Sequence, residues 1–513
     1  MRKYILILAT VLLFGCSSDY LNVNPKNSTT PDVVFQTTVS AKSAINGLAK
    51  LMTRQYASQG MNGEGAIKLL YGNYPGNHFY RKLPGWASVI NLSDLHNNNN
   101  YYGNYAWYYY YKLISNANEF IHRIDGAIGP DKDKQHMTGQ ALVYRAYSFF
   151  MLSQLFSDRW IESNNGSTNG IILRTEPTMD DIPLSTLAET YNQIYEDLEK
   201  AIELFEKSGI KRDVVNNNFD PDASVAHAIL ARAALTKQDY EKAAKHAKLA
   251  RVDYKLMLNS DYTSGFAEPT SEWIWGSYGA ADENLYYYSF QSQIAWNSNA
   301  SSVTSYPAGT TRALYKKIPE TDIRRKMFLD PGDDYELSPS TIVIEDEKLI
   351  EKYYELFPGI HESMNMQPYM QFKFGCIGQP GVGHLVHIRA SEMYLIEAEA
   401  LHFLNKDTEA QKLLIELTKN SGRDPEYDCT VTGEDLFKEI KLYRLIELWG
   451  EGFEFFDLKR WGDSRVRASI NAEKPEDRDV FTTSLDINIK PDECNNWVYA
   501  IPSKESDFND EFK

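Results

Sequence analysis

Apolar positions recur at a helical period along most of the chain. Ile45, Leu48, Ala49 and Met52 mark one amphipathic stripe, and Trp107, Tyr111, Ile114, Asn118 and Ile121 mark a second. Leu142, Ala146, Phe149, Ser153 and Phe156 make a third. Side chains so spaced lie on one face, because a helix turns once in about 3.6 residues. Thr186-Leu187-Ala188-Glu189 carries the residues of a capping box, in which hydroxyl and carboxylate each accept the other residue's backbone N–H. It predicts the start of a helix whose stripe is Tyr191, Ile194, Tyr195, Leu198, Ala201, Ile202 and Phe205.

Two stretches pair helices. Ala231 to Leu235 leads through Thr236-Lys-Gln-Asp239 into Tyr240, Ala243, Ala244, Ala247 and Ala250. Small residues at a close contact, a tight polar turn and an alanine face resemble a tetratricopeptide unit, a generic helical hairpin being the alternative. A similar pair spans Tyr394 to Lys419. Two regions break the pattern. Residues 70–106 are rich in Tyr, Asn, Gly and Pro, and residues 257–385 mix turns with strand-like runs at Glu272–Trp275, Thr341–Ile344 and Tyr369–Phe374. Loops this long in an ordered body carry function.

No Pro/Ser-rich linker divides residues 35–513, so they read as a single body: a helical-repeat part at 35–255 and a C-terminal part at 256–513. The latter holds the irregular insert 257–385 and a last helix pair within 386–462. Thirty-four tyrosines exceed what a helical core usually takes, so many are expected to face solvent, a partner or a ligand.

The N-terminus sets the compartment. Arg2 and Lys3 precede an apolar run from Tyr4 to Phe14, too short to span a bilayer, and Gly15-Cys16 follows. That is a secretory signal peptide at 1–15, and the cysteine after a small residue resembles the bacterial lipobox. Cys16 is then the lipidation site, and the Asn- and Pro-rich stretch within 16–34 is a tether. Losing Arg2 and Lys3 takes the formal charge from −17 to −19, which excludes a nucleic-acid partner. A mean hydropathy of −0.46 excludes a multi-span membrane protein. Cys376, Cys429 and Cys494 remain beside Cys16, and no disulfide framework is expected of so large a body.

Catalytic signatures are missing: there is no Walker A loop, dinucleotide fingerprint or Gly-x-Ser-x-Gly elbow. His361-Glu362 lacks the second histidine of a zinc protease, and His384 and His387 lack a third ligand. Asp330 to Asp334 lacks the alternating oxygens of a calcium loop. Paired carboxylates for glycoside hydrolysis leave no local signature, since their separation is spatial. What the chain does offer suits a sugar, whose C–H face stacks on Trp or Tyr while Asn, Asp and Arg reach its hydroxyls. Trp86 with Tyr71, Tyr74, Asn77, Arg81 and His96 forms one such set, and Tyr286 to Tyr288 with Trp296 and Asn297 forms another. Trp86, after Pro84-Gly85, is the proposed stacking platform, with Tyr287 and Trp296 next. Trp107 is left to the core, since it falls on an apolar stripe.

Four stretches together resemble the SusD/RagB family of outer-membrane nutrient-uptake lipoproteins. They are Cys16 to Leu21 with Pro25; Tyr144-Arg145-Ala146-Tyr147 through Phe150 with Leu155-Phe156; Ile388-Arg389 through Glu392 to Ala400; and Glu447-Leu448, Glu451-Gly452 and Phe456 to Gly462, followed by Ala500-Ile501-Pro502. Tyr443 stands where the family often has Glu, Glu454 where it often has Arg, and Ser157-Asp158 where glycine is usual. The resemblance implies a mostly α, SusD-like fold of four tetratricopeptide-like helix pairs with a loop-rich, partly β ligand-binding portion. It implies a non-enzymatic, cofactor-free surface lipoprotein that captures an oligosaccharide for a SusC-like TonB-dependent transporter. A peptide-binding lid of the same family and a helical-repeat scaffold for outer-membrane assembly are the alternatives. Arg145, Arg389, Glu392, Glu399, Glu451 and Asp457 are expected to pair inside the scaffold, since lone buried charges are too costly.

Overall fold

The computed structural model describes residues 30–54, 61–81, 87–93, 95–281, 289–481 and 487–512. It is mostly helical, 52 % helix and 8 % strand. The longer helices are α1 (Thr38–Leu51), α2 (Tyr101–Arg123), α3 (Asp131–Phe156), α4 (Leu187–Ser208), α5 (Ala223–Thr236), α6 (Tyr240–Ala250), α7 (Glu347–Leu356), α8 (Ala390–Phe403), α9 (Asp407–Ile415), α10 (Gly433–Leu448) and α11 (Glu454–Trp461). Among the described residues no helix is long and apolar enough to cross a membrane.

Local sequence accounts for the helix ends. The Thr186 hydroxyl accepts the Glu189 N–H at 3.2 Å while the Glu189 carboxylate accepts the Thr186 N–H at 2.8 Å, so the capping box closes both ways. At the other end of α4, Gly209 takes φ +63°, the left-handed C-cap that glycine adopts without strain. Helices pack largely in chain order: α2 on α3, α3 on α4, α5 on α6, α6 on α8, and α8 on α9 and α10. Helix α3 departs from its single-stripe pattern. It lies among α1, α2 and α4, and nearly every residue from Met137 to Phe156 is buried.

Two short strands, β1 (Trp273–Ser277) and β2 (Leu385–Arg389), pair antiparallel, with Trp273 opposite Arg389 and Ser277 opposite Leu385. Both are fully buried, and β2 runs straight into α8. At this junction lies a cluster of four cations and four carboxylates. Arg389 donates to Glu272 at 2.9 Å, to Glu447 at 2.7 Å and to Glu451 at 2.8 Å. Lys373 binds Glu451 at 2.7 Å, Arg423 binds Glu272 at 3.1 Å, and Arg324 binds Asp322 at 2.6 Å and Glu447 at 2.9 Å. Burial alone would raise the Glu451 carboxyl; Arg389 and Lys373 overcome it and hold it at about 2. The other expected pairs form too: Arg145 with Asp197, Arg232 with Glu392, and Arg460 with both Glu399 and Asp457.

Some expectations are corrected. Thr341–Ile344 is turn and bend, and Tyr369–Phe374 makes only single bridges at Met370 and Gln371, because a β-branched or aromatic run becomes a strand only against a partner edge. Residues 70–106 are not one loop. Gly63–Ala66 and the π-helical turn Ile67–Asn73 are buried, and Tyr101, Tyr102 and Tyr105 begin α2. Nor do many tyrosines face outward: among the described residues only Tyr101 and Tyr278 are exposed. Some inward-facing hydroxyls find acceptors, as Tyr111 does at the Ile172 carbonyl (2.8 Å) and Tyr147 at Glu64 (2.8 Å).

Candidate functional site

Beyond the end of β1 the chain emerges at Tyr278, which is 56 % exposed. Its ring meets those of Phe219 (centroids 5.5 Å apart) and His384 (4.9 Å), and Phe219 and His384 lie 5.1 Å apart. The Gly279 N–H donates to His384 Nδ1 at 2.9 Å, which leaves the other ring nitrogen to carry the proton of the neutral imidazole. Burial lowers the His384 pKa, favouring that neutral form. Position 279 needs glycine for a steric reason: a Cβ there would sit 2.1 Å from the Gly383 carbonyl oxygen.

Tyr278 stands where two cavities join. One, about 70 Å³, is lined by Asn62, Gly65, Ser289, Gln291 and Gly381 to Gly383. The other, about 340 Å³, is lined by Asn46, Lys50, Phe219, Asp220 and Trp275. Met52, Thr53, Ser277 and Tyr278 belong to both. Asn46 and Asp220 then continue into a third cavity of about 430 Å³, with Lys42, Asp133, His136, Gln140 and Asn217 on its walls. The three form one groove along α1. An open aromatic edge with amides and hydroxyls on one side and amide, carboxylate and ammonium groups on the other is the chemistry that holds a polyhydroxylated chain.

Comparison with known proteins places this architecture. Residues 252–513 match the SusD family, and residues 19–235 match a SusD-like family described as starch-binding and associating with the outer membrane. The chain belongs to the SusD/RagB family. SusD-family binding proteins are non-catalytic. SusD-like protein P2 of Formosa agariphila is 26 % identical over 285 residues, 52 % of each chain, so the chain spans about half the length of this curated relative in the match. A SusD-like carbohydrate-binding protein of Bacteroides vulgatus superposes with a TM-score of 0.74 at 24 % identity, covering 93 % of this chain and 98 % of that one. A SusD superfamily protein of Bacteroides thetaiotaomicron gives 0.71 at 21 %, covering 93 % and 99 %. At such identities the likeness is one of fold.

Within this SusD fold the expected site residues fall into three groups. Cys16, Trp86 and Tyr287 lie outside the described residues. Tyr71, Tyr74, Asn77 and Arg81 are interior, at most 8 % exposed. The Tyr71 hydroxyl meets the Tyr102 carbonyl, and Asn77 ties Ser464 and Val466. Arg81 donates to Tyr74 (3.2 Å), Gln293 (2.8 Å) and the carbonyls of Ser302 (2.6 Å) and Tyr306 (2.9 Å). Tyr71, Tyr74 and Arg81 therefore hold the scaffold, while Asn77 lies in the wall of a separate cleft at α10 and α11 and not in the groove. Their bonds nevertheless bring the two expected stretches together, since Arg81 joins residues 79–81 to 293–306 and Ser289 lines the small cavity. His96 is exposed. Trp296 is half-buried against Phe357 and Phe372, and its indole N–H has no partner.

Tyr278, Phe219 and the long wall of α1 went unmarked in the sequence. The available signal was an aromatic followed by glycine at the end of the Glu272–Trp275 run, where a side chain leaves the buried strand. His387 is buried and bonded to the Ser277 hydroxyl (2.6 Å), so it does not join His384. Among the described residues no cluster of three or more His, Cys, Asp or Glu side chains is placed to hold a metal ion.

Proposed function

We propose that this SusD-family protein captures an oligosaccharide at the cell surface, in the groove divided by Tyr278, and delivers it to a SusC-like TonB-dependent transporter. Lipid on Cys16 holds it at the outer membrane. The observation that carries this reading is the position of Tyr278. It is one of only two exposed tyrosines among the described residues, and it sits in an aromatic cluster at the junction of two polar-walled cavities. Helix α1 borders the groove for about 20 Å, which suits a chain of sugars rather than a monosaccharide. Trp86 and Tyr287 remain proposed platforms.

A glycan array followed by calorimetry on the best ligand tests the reading. Tyr278→Ala and Trp86→Ala are each expected to weaken binding roughly ten- to a hundredfold, the loss of one stacked ring. Melting temperature should hold for Tyr278→Ala, whose ring is exposed. Unchanged affinity in Tyr278→Ala removes it as a platform, and a wild-type protein that binds no glycan turns the reading toward peptides.

A further inference from the structure

A separate cleft opens at α10 and α11, sharing no lining residue with the groove at Tyr278. Its volume is about 300 Å³, at the small end of ligand pockets. Leu442, Leu445 and Trp461 line it and are only half-buried, so apolar surface lies open there. On a chain of formal charge −17, the cleft is rimmed by four cations: Lys317, Lys438, Lys441 and Arg444.

The carboxyls in its wall are already engaged. Asp463 takes Lys441 at 2.7 Å, Asp457 takes Arg444 at 2.7 Å and Arg460 at 2.8 Å, and Glu454 accepts the His78 N–H at 3.0 Å. Lys438 pairs at 3.0 Å with Asp435, on the exposed flank of α10. Two donors are left over. Lys317 is exposed and makes no ion pair among the described residues. Arg444 is 4 % exposed, yet its Nη1 has no hydrogen-bond partner. A buried guanidinium N–H without an acceptor is a group awaiting one.

We propose that this cleft binds an amphiphilic monocarboxylate, its head group taken by Arg444 and Lys317 and its apolar body laid along Leu442, Leu445 and Trp461. The unpartnered Nη1 of Arg444 and the unpaired ammonium of Lys317 match a singly charged head. The half-buried leucines account for an apolar body, which a sugar would not need.

Calorimetry on the full chain with decanoate, decanol and acetate tests this. Decanoate is expected to bind at least tenfold more tightly than decanol, and acetate not measurably. Lys317→Glu, a change at an exposed residue, should weaken decanoate at least fivefold and leave decanol unchanged. Leu445→Trp should fill the cleft and abolish both, while glycan binding persists. Equal affinities for decanoate and decanol overturn the proposal, as does a Lys317→Glu variant that binds decanoate like wild type. Absence of decanoate binding at millimolar concentration overturns it as well. None of these results bears on the groove at Tyr278.

Discussion

Replacing Arg389 with alanine removes the centre of the eight-charge cluster. Arg389 is 1 % exposed and donates to three carboxylates and to the Glu447 carbonyl. Without it three cations face four carboxylates, although each carboxylate keeps one partner: Glu272 keeps Arg423, Glu447 keeps Arg324, and Glu451 keeps Lys373. Breaking a buried ion pair from one side costs about 3–5 kcal/mol. Unfolding entropy of about 2.1 cal/mol/K per residue makes a change of 1 kcal/mol worth roughly 1 °C in a chain this long. The melting temperature should therefore fall by roughly 3–5 °C, read by calorimetry at pH 7. The pH profile adds a sharper readout. Glu447 and Glu451 are held below the ordinary carboxylate range, so their share of stability is present above pH 4.5 and lost as pH falls toward about 2. Arg389→Ala should shrink that acid-side loss and leave glycan specificity unchanged in the folded protein. A variant with wild-type melting temperature and wild-type acid profile would refute the reasoning.

Under the proposed anchoring, Cys16→Ala should leave the chain unlipidated and release it from membranes, since acyl chains would be its strong apolar attachment; persistent membrane fractionation without a transporter present would count against the anchor. Burial pushes the Glu454 carboxyl up to about 7, against the opposing His78 N–H and Arg467. Its folded pKa thus lies above the unfolded value of 4.5, so it contributes stability at low pH that is lost as pH rises through about 7, about 3 kcal/mol in all. Glu454→Gln should flatten that slope between pH 5 and pH 8, and identical urea-melt profiles for the two proteins would sink the assignment.

How far the sequence carried depended on the range of the interactions. The α4 capping box is a contact between residues three apart, so Thr186 and Glu189 announced it. The pairing of Arg389 and Glu451 followed from the cost of lone buried charge, although partners such as Glu272 and Lys373 carry no local mark. Turn residues around Tyr74 and Arg81 suggested a surface loop. The structure laces that stretch to residues more than 370 positions away: Asn73 donates to the Gly450 carbonyl at 2.7 Å, and Lys68 to the Glu451 carbonyl at 2.8 Å. A Cβ at Gly72 would lie 2.2 Å from the Gly452 carbonyl oxygen, an approach no local pattern encodes. Phe219 and Tyr278 escaped notice for the same reason, being neighbours only after folding.

Order of synthesis matters to the eight-charge cluster. Its members are strung from Glu272 to Glu451, and Glu447 and Glu451 are the last to be made. A chain emerging N-terminus first holds Arg324, Lys373, Arg389 and Arg423 with only Glu272 and Asp322 to oppose them before those two carboxylates exist, and cations in such excess do not leave water. Residues 447–451 therefore act as a clasp, and the junction of β2 and α8 stays wet until they arrive.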